Sequence, residues 1–188
     1  MSYVHAIEAY TPKTPQEEAD QRLILEYISR FPENILLREN QMAHITSSGF
    51  VVNKNAGRVL LAHHNIRGVW AWTGGHADGD ADLPAVALRE AAEETGAAPL
   101  RLLSDAIASL DILPVYGHTK NGRYVPAHLH LSVAYLLLGN EAAPLRPRAG
   151  ENTAVSWFDA SFIAPENFSE EDVLLYGKLL SRARALLA

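Results

Sequence analysis

The segment from Gly75 to Ala97 constrains this chain more than any other. From Leu83 onward it reads Leu-Pro-Ala-Val-Ala-Leu-Arg-Glu-Ala-Ala-Glu-Glu-Thr-Gly. Pro84 is tolerated in a first helical turn, Asp80 or Asp82 is available as the cap, and Gly96 is placed to end the helix. On such a helix Glu90, Glu93 and Glu94 share one face, because side chains three and four residues apart are neighbours. Like charges crowded in this way repel by roughly 0.2–0.5 kcal/mol per pair, so the spacing calls for something positive beside them. The opposite face carries Ala85, Leu88, Ala91, Ala92 and Thr95, an apolar stripe that docks a helix onto a core. Carboxylates on an anchored element suit hard divalent cations such as Mg²⁺ or Mn²⁺, which take oxygen ligands. A Glu-rich helix also serves as a plain solvated face, and spacing alone leaves both readings open.

The same residues resemble a known signature. Nudix hydrolases carry glycine, five residues, glutamate, seven residues, then Arg-Glu-apolar-any-Glu-Glu-any-Gly-apolar. Gly75, Arg89, Glu90, Ala91, Glu93, Glu94, Gly96 and Ala97 fall in that register, and the early glutamate is replaced by Ala81, flanked by Asp80 and Asp82. So many fixed positions in one short window make a specific match, unlike a lone glycine pattern.

The resemblance implies a Nudix-type α/β/α sandwich and a pyrophosphohydrolase acting on a nucleoside diphosphate linked to another group, with Mg²⁺ or Mn²⁺ as cofactor. It further implies that Glu90, Glu93 and Glu94 bind the metal together with the carbonyl of Gly74, and that Arg89 orients a neighbouring glutamate. Glu151, in a Gly-Glu-Asn stretch where family members often place a further acid, is a candidate additional ligand or base; it is equally a solvated loop glutamate. The proton acceptor is expected among Glu93, Glu94 and Glu151. The isoprenoid isomerases that share this fold use a catalytic cysteine, and this chain has none. Ala81 keeps a second reading in play, a Nudix-fold protein that binds a nucleotide-like ligand as a regulator without cleaving it.

Charge fits the hydrolytic chemistry. With 16 Lys+Arg against 22 Asp+Glu the chain is acidic, so an anionic diphosphate needs a cation between itself and the acidic helix. The same balance, with no basic run, argues against stable nucleic-acid binding. No apolar stretch is long enough to span a bilayer, and the first residues lack the charged and apolar regions of a signal peptide, so a cytoplasmic location is expected. The absence of cysteine excludes disulfides and thiolate ligands.

The remaining pattern places these motifs. Thr14 and Pro15 start a helix bearing Leu23, Ile24, Tyr27, Ile28 and Phe31 on one stripe, ended by Pro32. This helical extension, 1–40, precedes a Nudix domain at 41–188 and is expected to pack beside the sheet or to support a homodimer. Phe50 to Val52 and Val59 to Leu61 form a hairpin, and Val69 to Trp72 leads into Gly74 and Gly75. Ala106 to Val115 and Ala127 to Leu138 are strands joined through the turn signal Asn121-Gly122. Val155 to Phe158 is a last strand, and Ser169 caps a final helix with Val173, Tyr176, Leu180, Ala183 and Leu187 on one side. Mixed strands with helices against them imply an α/β sandwich.

Other polar and aromatic residues are candidate contacts for a small nucleotide-like substrate. His128 and His130 alternate on one strand and so point to the same face. With His63, His64 and His76 they line a cleft, hold a transition metal as a pair, or are ordinary surface and core histidines. Trp70 and Trp72 share a strand face, where one stacks on a base or both pack in the core. Arg123 and Lys120 beside the turn are candidate phosphate contacts, or charges kept for solubility.

Overall fold

The computed structural model describes residues 2–120 and 122–188. Met1 and Asn121 lie outside the described residues, as does the side chain of Lys120. In chain order the elements are α1 (Tyr3–Ala9), α2 (Pro15–Arg30), β1 (Ala43–Val52), β2 (Arg58–His64), β3 (Val69–Ala71), β4 (Thr73–His76), α3 (Leu83–Thr95), β5 (Arg101–Leu102), β6 (Ser109–Val115), β7 (His118–Lys120), β8 (Arg123–Val125), β9 (His128–Leu138), β10 (Asn152–Asp159) and α4 (Glu170–Leu187). The strands form one mixed sheet along the path β10-β2-β1-β9-β5, with β3 on β2, β4 on β1 and β6 on β9. β7 and β8 make a separate two-stranded ribbon.

The spine of the sheet is β1, paired in parallel with β9 through ten consecutive positions from Ala43↔Leu129 to Val52↔Leu138. Because side chains alternate across a strand, β1 feeds two cores. Its Ala43 and Ile45 join Ile7, Ile24, Ile28, Leu83, Ala87 and Val133 on the side of α1, α2 and α3. Its Phe50 and Val52 join Leu175, Tyr176, Leu179 and Ala183 of α4 on the other. Both cores are buried, and the result is the expected α/β/α sandwich with helices at both ends.

Helix α2 does more than shield an apolar face. Among the described residues β6 pairs only with β9, and its outer edge would offer bare backbone groups for aggregation. Asp20 accepts the Ile112 N–H at 2.9 Å and Gln16 donates to the Leu110 carbonyl at 3.3 Å, so polar side chains of α2 close that edge. The expected stripe on α2 is rotated: Ile24 and Ile28 are buried, whereas Leu23 is exposed.

Two helix details also differ from expectation. α1, capped by the Ser2 hydroxyl, carries no strong sequence periodicity, yet its Ile7 is fully buried. In α3 the buried positions are Leu83, Val86, Ala87, Ala91, Glu94 and Thr95, while Ala85 is exposed. The helix packs on the row i, i+4, i+8 beginning at Leu83, which turns Glu94 inward rather than to solvent.

Candidate active site

Helix α3 presents its carboxylates where the sheet brings β4 alongside. Asp82 caps the helix, accepting from the Ala85 N–H at 3.2 Å, and Gly96 closes it in the left-handed conformation with φ +67°. Asp80 meets Arg89 at 3.1 Å, and the Arg89 Nε lies 4.0 Å from Glu90. The residue before Ala81 thus supplies the acid that holds the motif arginine beside Glu90. β4 runs antiparallel to β1 with Gly75 opposite Ser47 and Gly74 opposite Ser48. A Cβ on Gly75 would collide with the Glu90 carboxylate, so the missing side chain is what admits that acid against the strand.

The segment following Leu145 folds back on the last turn of α3. Arg146 N–H donates to the Thr95 carbonyl at 2.8 Å and Arg148 N–H to the Glu94 carbonyl at 3.2 Å, satisfying carbonyls that a helix end leaves free. That docking delivers two side chains to the acidic face. The Arg148 guanidinium lies 3.0 Å from Glu93, 3.5 Å from Glu90 and 3.3 Å from Glu151. Glu151 therefore joins Glu90 and Glu93 around one cation, and Arg148 is the positive partner that the helix spacing calls for. Its identity was not legible because it lies more than fifty residues beyond the helix.

Glu94 is set apart from these three. Its Oε1 accepts the Gly74 N–H at 3.0 Å and its Oε2 accepts from the Asn152 amide at 3.3 Å. Burial pushes its carboxyl up to about 7, against the pull of those two donors. Burial, together with the Glu93 charge, also raises Glu90. Asn152 Oδ1, beside Glu94, is buried with no partner. Carboxylates and an orphaned amide oxygen are hard oxygen donors, a chemistry that fits Mg²⁺ or Mn²⁺ rather than a softer ion.

The aromatic and basic candidates are dispersed. The Trp72 ring packs 5.9 Å from Tyr176 and its backbone N–H donates to the Tyr176 hydroxyl at 3.4 Å. Trp70 sits edge-on to Phe158 at 4.7 Å and to His63 at 5.2 Å. Arg123 lies exposed on the β7–β8 ribbon. His63 bonds Thr153 at 2.7 Å, and the His64 ring accepts the N–H groups of Ile66 and Arg67, so these two serve the sheet margin and its turn.

The remaining histidines converge. Nitrogen atoms of His44, His76, His128 and His130 all lie within 4.8 Å of one another. Register explains it: β4, β1 and β9 are adjacent, with Thr46 opposite His76 and His44 beside His130. His44 is the member that sequence reasoning missed, since only the β1–β9 register brings it to the His128–His130 pair. Burial lowers His44 and pushes His130 down to about 2, the other imidazoles adding to the effect, so both rings are neutral.

A family model described as the NUDIX domain matches residues 42–176. No curated protein matches the chain. Among solved structures it is similar to a NUDIX-family hydrolase from Clostridium perfringens, 22% identical, with a TM-score of 0.52 over 73% of this chain and 96% of that one. It is also similar to an Ap4A hydrolase from C. elegans in a binary complex, 20% identical, with a TM-score of 0.52 over 76% of this chain and 96% of that one. At these identities the two structures speak for the fold.

Proposed function

The chain belongs to the Nudix family, whose members hydrolyse derivatives of nucleoside diphosphates, and from that premise we propose that it is a Mg²⁺- or Mn²⁺-dependent pyrophosphohydrolase of a nucleotide-like small molecule. The observation that carries this reading is the gathering of Glu90, Glu93 and Glu151 within reach of the single Arg148 guanidinium, beside Gly74 and Glu94. Three carboxylates gathered about a guanidinium support a reading in which divalent ions take their place.

In this reading Glu90, Glu93, Glu151 and the Gly74 carbonyl hold the ions. When bound, these supply charge neutralisation at the diphosphate and a lowered pKa for an attacking water. Glu94 would serve as the proton acceptor in hydrolysis. A carboxyl poised near 7 is matched to proton transfer at neutral pH, and its two fixed donors hold it in one orientation. Arg148 moves from its carboxylate partners to the substrate phosphates, a planar fork suited to them. Arg89, held by Asp80, keeps Glu90 in place. Of the remaining candidates, Trp72 and Arg123 are the positions from which a substrate's other groups are recognised. The segment 1–40 is an extension that covers the sheet edge beside the domain at 41–188.

The test is a turnover screen of purified protein against nucleoside triphosphates, nucleotide sugars and dinucleotides with Mg²⁺ and Mn²⁺, reading released phosphate, pyrophosphate and mononucleotide. Hydrolysis that disappears in Glu93→Gln and Glu94→Gln supports the proposal. Tight binding of a nucleotide with no bond cleavage under either metal would replace it by the regulatory reading.

A further inference from the structure

His44, His76, His128 and His130 form a group that the carboxylate chemistry does not use. They lie on the face of the sheet turned away from α3. On β1 the odd positions meet that helix, Ser47 donating to the Leu83 carbonyl at 2.6 Å, whereas His44 alternates to the other side. On β4 Gly75 faces Glu90, and His76 is its neighbour on the opposite face.

Two of the rings are already oriented as ligands. His44 Nδ1 lies 2.9 Å from the Asn40 carbonyl and His128 Nδ1 lies 2.9 Å from the Pro126 carbonyl. A carbonyl can only accept, so each Nδ1 carries the proton and each Nε2 presents a lone pair. This is the outer contact that metal-binding histidines normally make, fixing tautomer and ring direction. His44 is 4% exposed, and its Nε2 is buried with no partner. A buried polar atom is costly when unsatisfied, and this one is surrounded by three imidazoles at ring-centre distances of 4.9 to 5.2 Å.

Spacing selects the coordination. His128 Nε2 and His130 Nε2 are 3.3 Å apart. Two nitrogens bound at Zn–N of about 2.0–2.1 Å are separated by about 3.3–3.4 Å on a tetrahedral edge, and by only about 2.9 Å on a square-planar one. The pair already spans the tetrahedral edge, and a set of four imidazole nitrogens favours a borderline ion over Mg²⁺. Three adjacent strands hold the donors, so the geometry is set by the sheet rather than by a loop.

From this we infer that His44, His76, His128 and His130 form a tetrahedral site for a divalent transition ion of the zinc class, separate from the carboxylate site and independent of the proposed hydrolysis.

The test uses chelator-stripped protein dialysed against Zn²⁺ in excess Mg²⁺, with bound zinc measured by elemental analysis. Co²⁺ serves as the spectroscopic probe. The expected result is one zinc per chain in the wild type and in Glu93→Gln, with the intense visible bands of tetrahedral cobalt. His128→Ala and His130→Ala each weaken zinc binding by more than about tenfold while His63→Ala does not, since even outer-contact losses cost about that much. Imidazole NMR resonances of the wild type provide a readout that needs no variant: four rings shift together on adding zinc. The inference is overturned by failure to retain zinc, by loss of zinc in Glu93→Gln comparable to that in His130→Ala, or by a weak, octahedral cobalt spectrum.

Discussion

Arg182, on the last helix, grips both oxygens of Glu17, on the second: Nη1 lies 2.6 Å from Oε1 and Nη2 lies 2.9 Å from Oε2. Glu17 has no exposed surface, and Ser109 of β6 donates to the same carboxylate at 3.1 Å. Lys178 stands 3.4 Å away and pairs more closely with Asp111. Two helices far apart in sequence are thereby joined through a buried fork at the sheet edge. Removing one partner of such a pair strands the other, at a cost of about 3–5 kcal/mol. Arg182→Met is expected to lower the unfolding free energy by that amount in urea titration, and Glu17→Met combined with Arg182→Met to recover most of it. Additive losses in the double variant would show that the two do not act as a pair.

The same carboxylate makes stability depend on acid. Burial raises the Glu17 pKa, but the Arg182 bonds, the Lys13 N–H and Lys178 outweigh it and hold the group down to about 2. A depressed carboxyl stabilises fully above its unfolded value of about 4.3, and the contribution fades as pH falls toward 2. About 3 kcal/mol should be lost across that window in the wild type. The Glu17→Met, Arg182→Met double variant should show a flatter stability curve between pH 5 and about 2.

Activity should answer to a different carboxyl. Glu94, raised to about 7 by burial, must be ionised to accept a proton. The kcat/KM profile is expected to climb with pH through neutrality and level off above about 8. Glu94→Gln should lower kcat by about 10²–10⁴-fold while Mn²⁺ binding persists, whereas Glu93→Gln should weaken Mn²⁺ binding itself. A profile flat from pH 5 to about 9 would remove Glu94 from the proton-transfer role.

Arg148 occupies the acidic face as an internal counter-ion. Arg148→Met should therefore bind Mn²⁺ a few-fold more tightly in calorimetry, on the scale of about 0.5–1 kcal/mol for a half-exposed ion pair. Its KM for a phosphate-bearing substrate should rise at the same time, because the cation that met the phosphates is gone. Unchanged metal affinity would mean that the guanidinium and the metal do not compete.

Gly75→Ala tests how closely the strand must approach the helix. The added methyl meets the Glu90 carboxylate, the far end of a flexible side chain, so the fold should survive with a Tm shift of a few degrees. Turnover should fall by at least about tenfold as the displaced Glu90 leaves its place among the ligands. Gly74→Ala differs, since its methyl would press on the Ser48 backbone, and it should destabilise the β1–β4 pairing itself.

Much of this was readable from local chemistry. Asp82, Pro84 and Gly96 mark both ends of α3, and Thr14 and Ser169 cap α2 and α4 as their side chains predict. The nearness of Glu90 and Glu93 follows from helical spacing alone, whereas Glu94 turns inward to Gly74 and Asn152. Three features did not show because each depends on partners distant in the chain. Glu17 reads as an ordinary first-turn acid until Arg182 is seen beside it. Arg148 reads as a loop charge until its segment docks on the α3 carbonyls. His44 reads as the opening of a strand until the β1–β9 register sets it against His130. The rotation of the α3 stripe, with Ala85 outward and Glu94 inward, also came from tertiary packing that a run rich in small residues does not specify.

The alternation along β1 has a last consequence. Ser47 serves the helix that bears the acids, and His44 serves the imidazole group, so odd and even positions answer to different chemistries. A substitution on either side of the sheet is therefore expected to leave the reverse untouched. Inserting a single residue just before His44, by contrast, would exchange the two allegiances along the rest of the strand and disable both at once.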